Sequence, residues 1–312
     1  MESLGNIINE CLKSLFFYSP YSFIKEISND VQTNFVKNSI LESIQNNKST
    51  HFTSNNIVFI YSYLDWDSNY FKFKNYKLQY MLYDRKTVSQ SELIVATESF
   101  SKFLKDEECE YCFIEIPSED IVSIQALNTC GFRLIETRLT YYRGNLETFS
   151  NEHYSVREAN QSDITNLKEV AKTMRNDYDR FHADTIFSTE LADAFLSTYI
   201  EQSIKGFVDY VMVPAEKDIP ADSFLTANYF KKDWPLLDCN VSKMVLSAVS
   251  SQTNRGWYKK LISEMTYHLR EQDAQYIYMN TQSTNRAVFH TWETLGYKLG
   301  ATNHVLAKAF DK

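Results

Sequence analysis

Glycine and proline are scarce in this chain of 312 residues, at seven and five respectively. A chain so poor in both is not a flexible linker, a collagen-like rod or a low-complexity segment. Positive charge is in deficit as well: 32 Lys and Arg face 40 Asp and Glu, a formal net charge of −8. The broad basic field that nucleic-acid binding requires is therefore missing, and no nucleic-acid partner is expected. A small phosphorylated ligand stays compatible, because a few cations at a helix N-terminus can hold it on an acidic protein. No apolar run reaches the roughly 20 residues that cross a bilayer, and the N-terminus lacks the basic-then-apolar order of a signal peptide. The five cysteines, at 11, 109, 112, 130 and 239, form no disulfide framework. Soluble, cytoplasmic placement without membrane insertion is the expectation. Cys109 and Cys112 have the spacing of a metal or redox pair, but no second pair exists and Cys112 opens the apolar Cys-Phe-Ile-Glu-Ile. They read as buried thiols, and no metal is expected.

Aromatic residues are plentiful, with 21 Tyr and 21 Phe, so the interior should be densely packed. The length suits two domains of ordinary size. Residues 1–55 read as a helical extension with Ile7, Ile8, Cys11, Leu12 and Leu15 along one face, a candidate cap or homodimer contact. Residues 56–150 alternate strand and helix: strands at Ile57–Tyr61 and Leu78–Tyr83, a helix over Gln90–Leu104, a strand at Tyr111–Ile116 and a helix over Ile121–Thr129. Gly131-Phe132 stops that last helix before another strand. A polar stretch from Asn145 to Tyr154 predicts a linker, and residues 151–312 form the second domain. There Ser162-Asp163 caps a helix from Ile164 to Met174, and helix, Gly296-Tyr297 and strand repeat the order seen at Gly131. A weak internal repeat follows, whose first copy lacks a phosphate loop and so serves as scaffold.

The chemistry concentrates in two segments of the second domain. Lys243–Val249 reads as a strand, residues 250–254 are polar, and a helix begins after Arg255-Gly256. The first N–H groups of a helix have no internal acceptor, and its dipole adds about 0.3–2 kcal/mol of attraction for an anion. Arg255, Lys259 and Lys260 add charge in the same turn, although an ordinary strand–helix junction with solvated cations gives the same pattern. Downstream, a strand at Tyr276–Met279 breaks at Thr281-Gln282-Ser283-Thr284-Asn285 before the final helix.

Asn285 followed eleven residues later by Gly296 and then Tyr297 resembles the closing signature of GNAT acetyltransferases, and Thr253–Tyr258 resembles their coenzyme A pyrophosphate loop. Only the first glycine of that loop is kept, and Tyr258 stands where a small residue is usual. Leu64–Phe71, with its Trp-Asp-Ser, and Asp179-Arg180-Phe181-His182-Ala183-Asp184 are similar to segments of dTDP-fucosamine acetyltransferases, although Lys72 replaces their usual Gly. The resemblance implies a mixed α/β fold of mostly antiparallel strands flanked by helices, with a smaller degenerate copy of the same fold at the N-terminus. It implies acetyl-CoA as co-substrate and a small-molecule amine, a nucleotide-linked amino-deoxy sugar, as acceptor. The residues it assigns to coenzyme A are Ala248, Val249, Asn254, Arg255, Gly256, Trp257, Tyr258, Lys259, Asn285 and Trp292. Arg180, Asp184, Trp66 and Gln282 fall to the acceptor.

Direct attack of an amine on a thioester needs proton removal, a donor for the carbonyl oxygen and stabilisation of the departing thiolate. A backbone N–H near Ala248-Val249 is the expected carbonyl donor. The family's proton donor is a Tyr four residues before the glycine, and here that residue is Trp292, whose indole holds its proton. His182 is the candidate base and Tyr278 a candidate acid. A non-catalytic binding or scaffold protein of the same fold, or an enzyme acting on a different amine, is the alternative.

Overall fold

The computed structural model describes residues 2–310. They fall into two compact units: one runs up to Arg138 and takes in the chain again from Ala301, and the other spans Leu139–Gly300. The division lies inside a strand, while Asn145–Tyr154 packs within the second unit, where Leu146, Phe149 and Tyr154 join its core.

The first unit opens with helices α1 (Glu2–Glu10), α2 (Leu12–Leu15) and α3 (Asn29–Gln45). Ile8, Cys11 and Leu15 are buried with Val36 and Ile40 against Val58 and Ile60, so the apolar face of the extension covers this unit's own sheet. Strand β1 (Thr50–Ser54) begins inside the segment expected to be helical and pairs antiparallel with β2 (Ile57–Tyr63). Helix α4 (Asp65–Phe71) and strand β3 (Asn75–Leu82) come next. Lys72 closes α4 in the left-handed region, φ 63°, a conformation that disfavours every residue but glycine by about 1–2 kcal/mol. Helix α5 (Gln90–Asp106) starts at a capping box of Ser89 and Glu92 and buries Leu93, Ala96, Phe100 and Leu104. Strand β4 (Tyr111–Pro117), helix α6 (Ile121–Thr129) and strand β5 (Arg133–Arg143) complete the run.

The second unit carries β6 (Val156–Glu158), α7 (Ile164–Thr173), α8 (Arg180–Ala183), α9 (Thr189–Gln202), β7 (Tyr210–Pro214) and β8 (Ser223–Asn228). Then come α10 (Trp234–Leu237), β9 (Val241–Val249), α11 (Trp257–Glu271), β10 (Tyr276–Gln282), α12 (Arg286–Thr294) and β11 (Lys298–Ala309). Strands β6 to β9 pair antiparallel in order, and β9 and β10 are parallel. Leu261, Ile262, Met265 and Leu269 of α11 pack on Ile277 and Met279 in this unit's core.

The helix stops at Gly131 and Gly296 match in their hydrogen bonds. After α6, Phe132 N donates to Leu127 O at 3.0 Å with Gly131 at φ 87°, and after α12, Tyr297 N donates to Trp292 O at 3.0 Å with Gly296 at φ 78°. Both are the same left-handed helix stop. At Gly296 a Cβ would lie 2.0 Å from an Arg143 Nη1 that donates to Leu295 O, so a side chain there would displace this guanidinium as well as strain the backbone. The final strands are exchanged: Asn303–Ala309 of β11 pair antiparallel with β4 in the first unit, and the end of β5 belongs to the second.

Each unit contains a parallel pair among the described residues, held in register over three residues: Asn75–Lys77 on Tyr111–Phe113, and Tyr276–Tyr278 on Val241–Lys243. In the first unit Tyr18 packs there, its ring 5.4 Å from Tyr80 on β3 and its hydroxyl donating at 2.6 Å to Asp120, the N-cap of α6. The equivalent space in the second unit is open.

Candidate functional site

Beyond Lys243 and Tyr278 the pairing of β9 and β10 ceases, and the diverging ends border a cavity of about 780 Å³. Met244–Val249 line one wall and Met279–Gln282 another, with Tyr258 of α11, Asn285 and Trp292 at α12, and the 173–179 segment after α7. Backbone groups released from a ladder need other partners, so these strand edges are ready to bind a polar ligand.

A β-bulge shapes the β9 wall. Ala227 faces Met244 and Leu225 faces Ser247, leaving one extra residue on β9, and the Thr226 hydroxyl fills the gap by accepting from Leu246 N at 2.9 Å. Bulges re-aim a strand next to active sites. Neither the bulge nor Ser247 was among the sequence expectations, because Val245 to Ala248 reads as an unbroken strand.

Gly256 sits at φ 89° at the N-terminus of α11, and a Cβ there would meet nothing within 4 Å. Arg255 and Lys259 are exposed beside it. Asn254 is buried and donates its amide to Pro220 O at 2.9 Å, and its carbonyl accepts from Trp257 N at 3.0 Å. Asn254 therefore builds the loop. Two side chains leave the expected site: Trp257 is packed in the core, and Lys260 lies 4.6 Å above the Trp257 and Tyr154 rings with Glu216 at 3.5 Å.

Ala248, Val249, Tyr258, Asn285, Trp292 and Gln282 converge on the cavity. Asn285 donates to Thr281 at 3.1 Å, and Gln282 accepts from Asn176 at 2.5 Å. Trp292 is 3% exposed, and its Nε1 donates to Tyr258 Oη at 2.8 Å. Burial pushes the Tyr258 hydroxyl well above its ordinary pKa, against hydrogen bonds to Trp292 and Ser247 that favour ionisation.

Other expected residues are placed elsewhere. His182 does not line the cavity: Nδ1 lies 2.9 Å from Asp179 and Nε2 3.2 Å from Asp193, and Asp193 is also 3.0 Å from Arg175. Burial alone would lower its pKa, but the two carboxylates outweigh that and raise it. With both nitrogens engaged, the imidazole is not a free base. Arg180 stacks 4.2 Å over the Phe181 ring, and Asp184 is buried as the C-cap of α8, so neither borders the cavity. Tyr278, buried at the last paired position with the Lys243 ammonium 5.3 Å from its ring, is also outside it. Trp66 belongs to the first unit, half exposed and stacked on Tyr70 at 5.3 Å. The cavity takes instead the run before α8, Arg175-Asn176-Asp177-Tyr178-Asp179. Its polar composition directly after the apolar period of α7 was the available signal. Among the described residues, no three His, Cys, Asp or Glu side chains are placed to hold a metal, and no helix is long and apolar enough to cross a membrane.

No protein-family model and no curated protein sequence matches the chain. Solved structures share its fold. A GCN5-related N-acetyltransferase from Sphaerobacter thermophilus aligns with a TM-score of 0.56 at 8% identity, over 86% of this chain and 85% of that one. The GCN5-related glucosamine N-acetyltransferase region of a fungal multi-domain GH3 β-N-acetylglucosaminidase gives 0.56 at 12% identity, over 81% of this chain and 31% of that one. A tandem GNAT protein from the clavulanic acid biosynthesis pathway gives 0.50 at 10% identity, over 82% and 81%. The chain has the fold of these GNAT proteins.

Proposed function

We propose that this chain is an acetyl-CoA-dependent N-acetyltransferase that acetylates the amine of a nucleotide-linked amino-deoxy sugar by direct attack in a ternary complex. The observation that carries the reading is the divergence of β9 and β10 after three paired residues, which opens a polar-edged cavity next to the N-terminus of α11. The residues present fit coenzyme A. Gly256 leaves open space for a pyrophosphate at a helix N-terminus, with Arg255 and Lys259 beside it. Ala248 and Val249 border the strand edge along which the acyl arm would lie, and a backbone N–H there is the donor expected for a developing oxyanion.

The acceptor side is acidic. Asp177, paired with Arg175 at 3.1 Å, and Asp179, held by His182, line the cavity and give an amine carboxylate oxygens to approach, while Asn176 and Gln282 offer amide groups to hydroxyls. Tyr178 is 58% exposed and presents a ring face on which a sugar or base can stack. A glucosamine N-acetyltransferase region among the structures of similar fold is consistent with an amino-sugar acceptor. The amine releases its proton to solvent at the open rim, a role that the doubly bound His182 does not fill.

Isothermal titration with acetyl-CoA, followed by addition of a dTDP-4-amino-4,6-dideoxyhexose with detection of free thiol, tests the reading. Binding with acceptor-dependent thiol release supports it. Binding without release redirects the search to another amine or to a non-catalytic role, and absence of binding refutes the coenzyme site.

A further inference from the structure

Two departures from the pattern that the sequence resembles meet each other in the cavity. Tyr258 stands where a small residue is usual, Trp292 stands where the hydroxyl donor is usual, and the two side chains are joined by a 2.8 Å hydrogen bond. We propose that the Tyr258 hydroxyl, delivered from α11 rather than from α12, is the hydrogen-bond donor to the sulfur that leaves during acyl transfer, with Trp292 as its positioning residue. The inference rests on the acyl-CoA reading above.

The direction of the bond decides the roles. Indole has one N–H and no acceptor, and that N–H is donated to Tyr258 Oη. Trp292 therefore has nothing left to offer a substrate. The same bond occupies one side of the phenol oxygen, so the Tyr258 O–H points away from Trp292. Ser247, on the bulged part of β9, is a polar neighbour that also favours its ionised form, and all three residues border the cavity. Trp292 is held by its own burial and by the Tyr141 ring, 5.5 Å away edge-on, while Tyr141 is anchored through its hydroxyl to Glu293 at 2.8 Å. A donor fixed before the reaction needs no reorganisation as charge develops.

In the transfer step the C–N bond forms, the C–S bond breaks and its electron pair moves to sulfur, while the amine proton leaves to water. Burial keeps the phenol protonated across the neutral range, and a thiol ionises near 8.5. Tyr258 therefore donates a hydrogen bond and keeps its proton, and the product leaves as a stabilised thiolate. This is a different task from general acid catalysis.

The test compares coenzyme A with S-methyl coenzyme A, which has no ionisable thiol, by titration calorimetry from pH 6.5 to 9.5 on the wild-type protein and on Tyr258→Phe. The ratio of the two affinities isolates the thiolate, since every other titrating group acts on both ligands. A hydrogen bond to a charged group corresponds to about tenfold or more in affinity, so the wild-type ratio should rise about tenfold in favour of coenzyme A across this range. In Tyr258→Phe the rise should fall below about twofold. A flat ratio in the wild type, measurable whether or not the variant folds, overturns the proposal, and so does an undiminished rise in the variant. Failure of both ligands to bind the wild type at any pH instead overturns the acyl-CoA reading itself, and this inference with it.

Discussion

Asn176 donates its side-chain amide to Gln282 at 2.5 Å, joining two cavity-lining segments that lie 106 residues apart in sequence. The bond fixes the acidic 175–179 run against the end of β10. One buried hydrogen bond contributes about 0.5–1.5 kcal/mol, and its loss should loosen acceptor binding more than coenzyme binding. Asn176→Ala is expected to raise the acceptor KM severalfold while leaving acetyl-CoA affinity within about twofold. Steady-state kinetics with titration calorimetry on the same protein checks both halves.

Gly256 supplies a second prediction that separates charge from backbone strain. Its φ of 89° disfavours any side chain, yet there is open space for one. Asn tolerates left-handed geometry better than most residues, and it matches Asp in size. Gly256→Asp should lose at least about tenfold more acetyl-CoA affinity than Gly256→Asn, since a carboxylate would face the pyrophosphate at close range. Equal losses in calorimetry would mean that strain, and not an anion site, governs this position.

Much of this architecture is legible in the chain, and the parts that are not share a physical cause. Helices α5 and α11 show their apolar period, and the glycine stops at Gly131 and Gly296 are local, so hydrogen bonds within a few residues decide them. The exchange of β5 and β11 rests on pairing between Asn303–Ala309 and Tyr111–Pro117, which no local pattern encodes. The resemblance places Arg180 and Asp184 at the acceptor and makes His182 the candidate base, but α8 is only four residues long and capped by Asp179, and His182 lies against Asp193 of α9 instead. Lys72 shows the reverse case: the usual glycine of the resembled segment is explained by a left-handed φ of 63° that the lysine nonetheless adopts.

His182 gives a pH prediction. Its folded pKa is raised by Asp179 and Asp193, despite burial and the nearby Arg175 charge. A raised folded pKa means that the stabilisation is fully present below the unfolded value, about 6.5, and is lost as pH rises through the folded value. The stability advantage of the wild type over His182→Gln should therefore be greatest in mildly acidic solution and shrink above about pH 6.5. Urea midpoints at pH 5.5 to 9 read this directly. A difference that does not change with pH would show that folding leaves the imidazole's pKa unshifted, and an advantage that grows with pH would show an imidazole held neutral between its carboxylates.

Tyr18 tests why one parallel pair opens on a cavity and the other does not. Its ring lies against Tyr80, and its hydroxyl donates to Asp120, which also pairs with Arg85 at 3.0 Å. Tyr18→Phe removes only the hydrogen bond, at a cost of about 1.5–3 kcal/mol for a bond to a charged group. Arg85 continues to neutralise the carboxylate, which places the expected loss near the lower end. Tyr18→Ala also removes the ring and leaves a void between β3 and β4, so it should cost about 3–5 kcal/mol. If Ala and Phe variants lose equal stability in denaturant titrations, the ring fills nothing and the space is closed by the strands themselves. If the Ala variant loses substantially more, the N-terminal extension is what fills, in the first unit, the space that the parallel pair of the second unit leaves open to ligand.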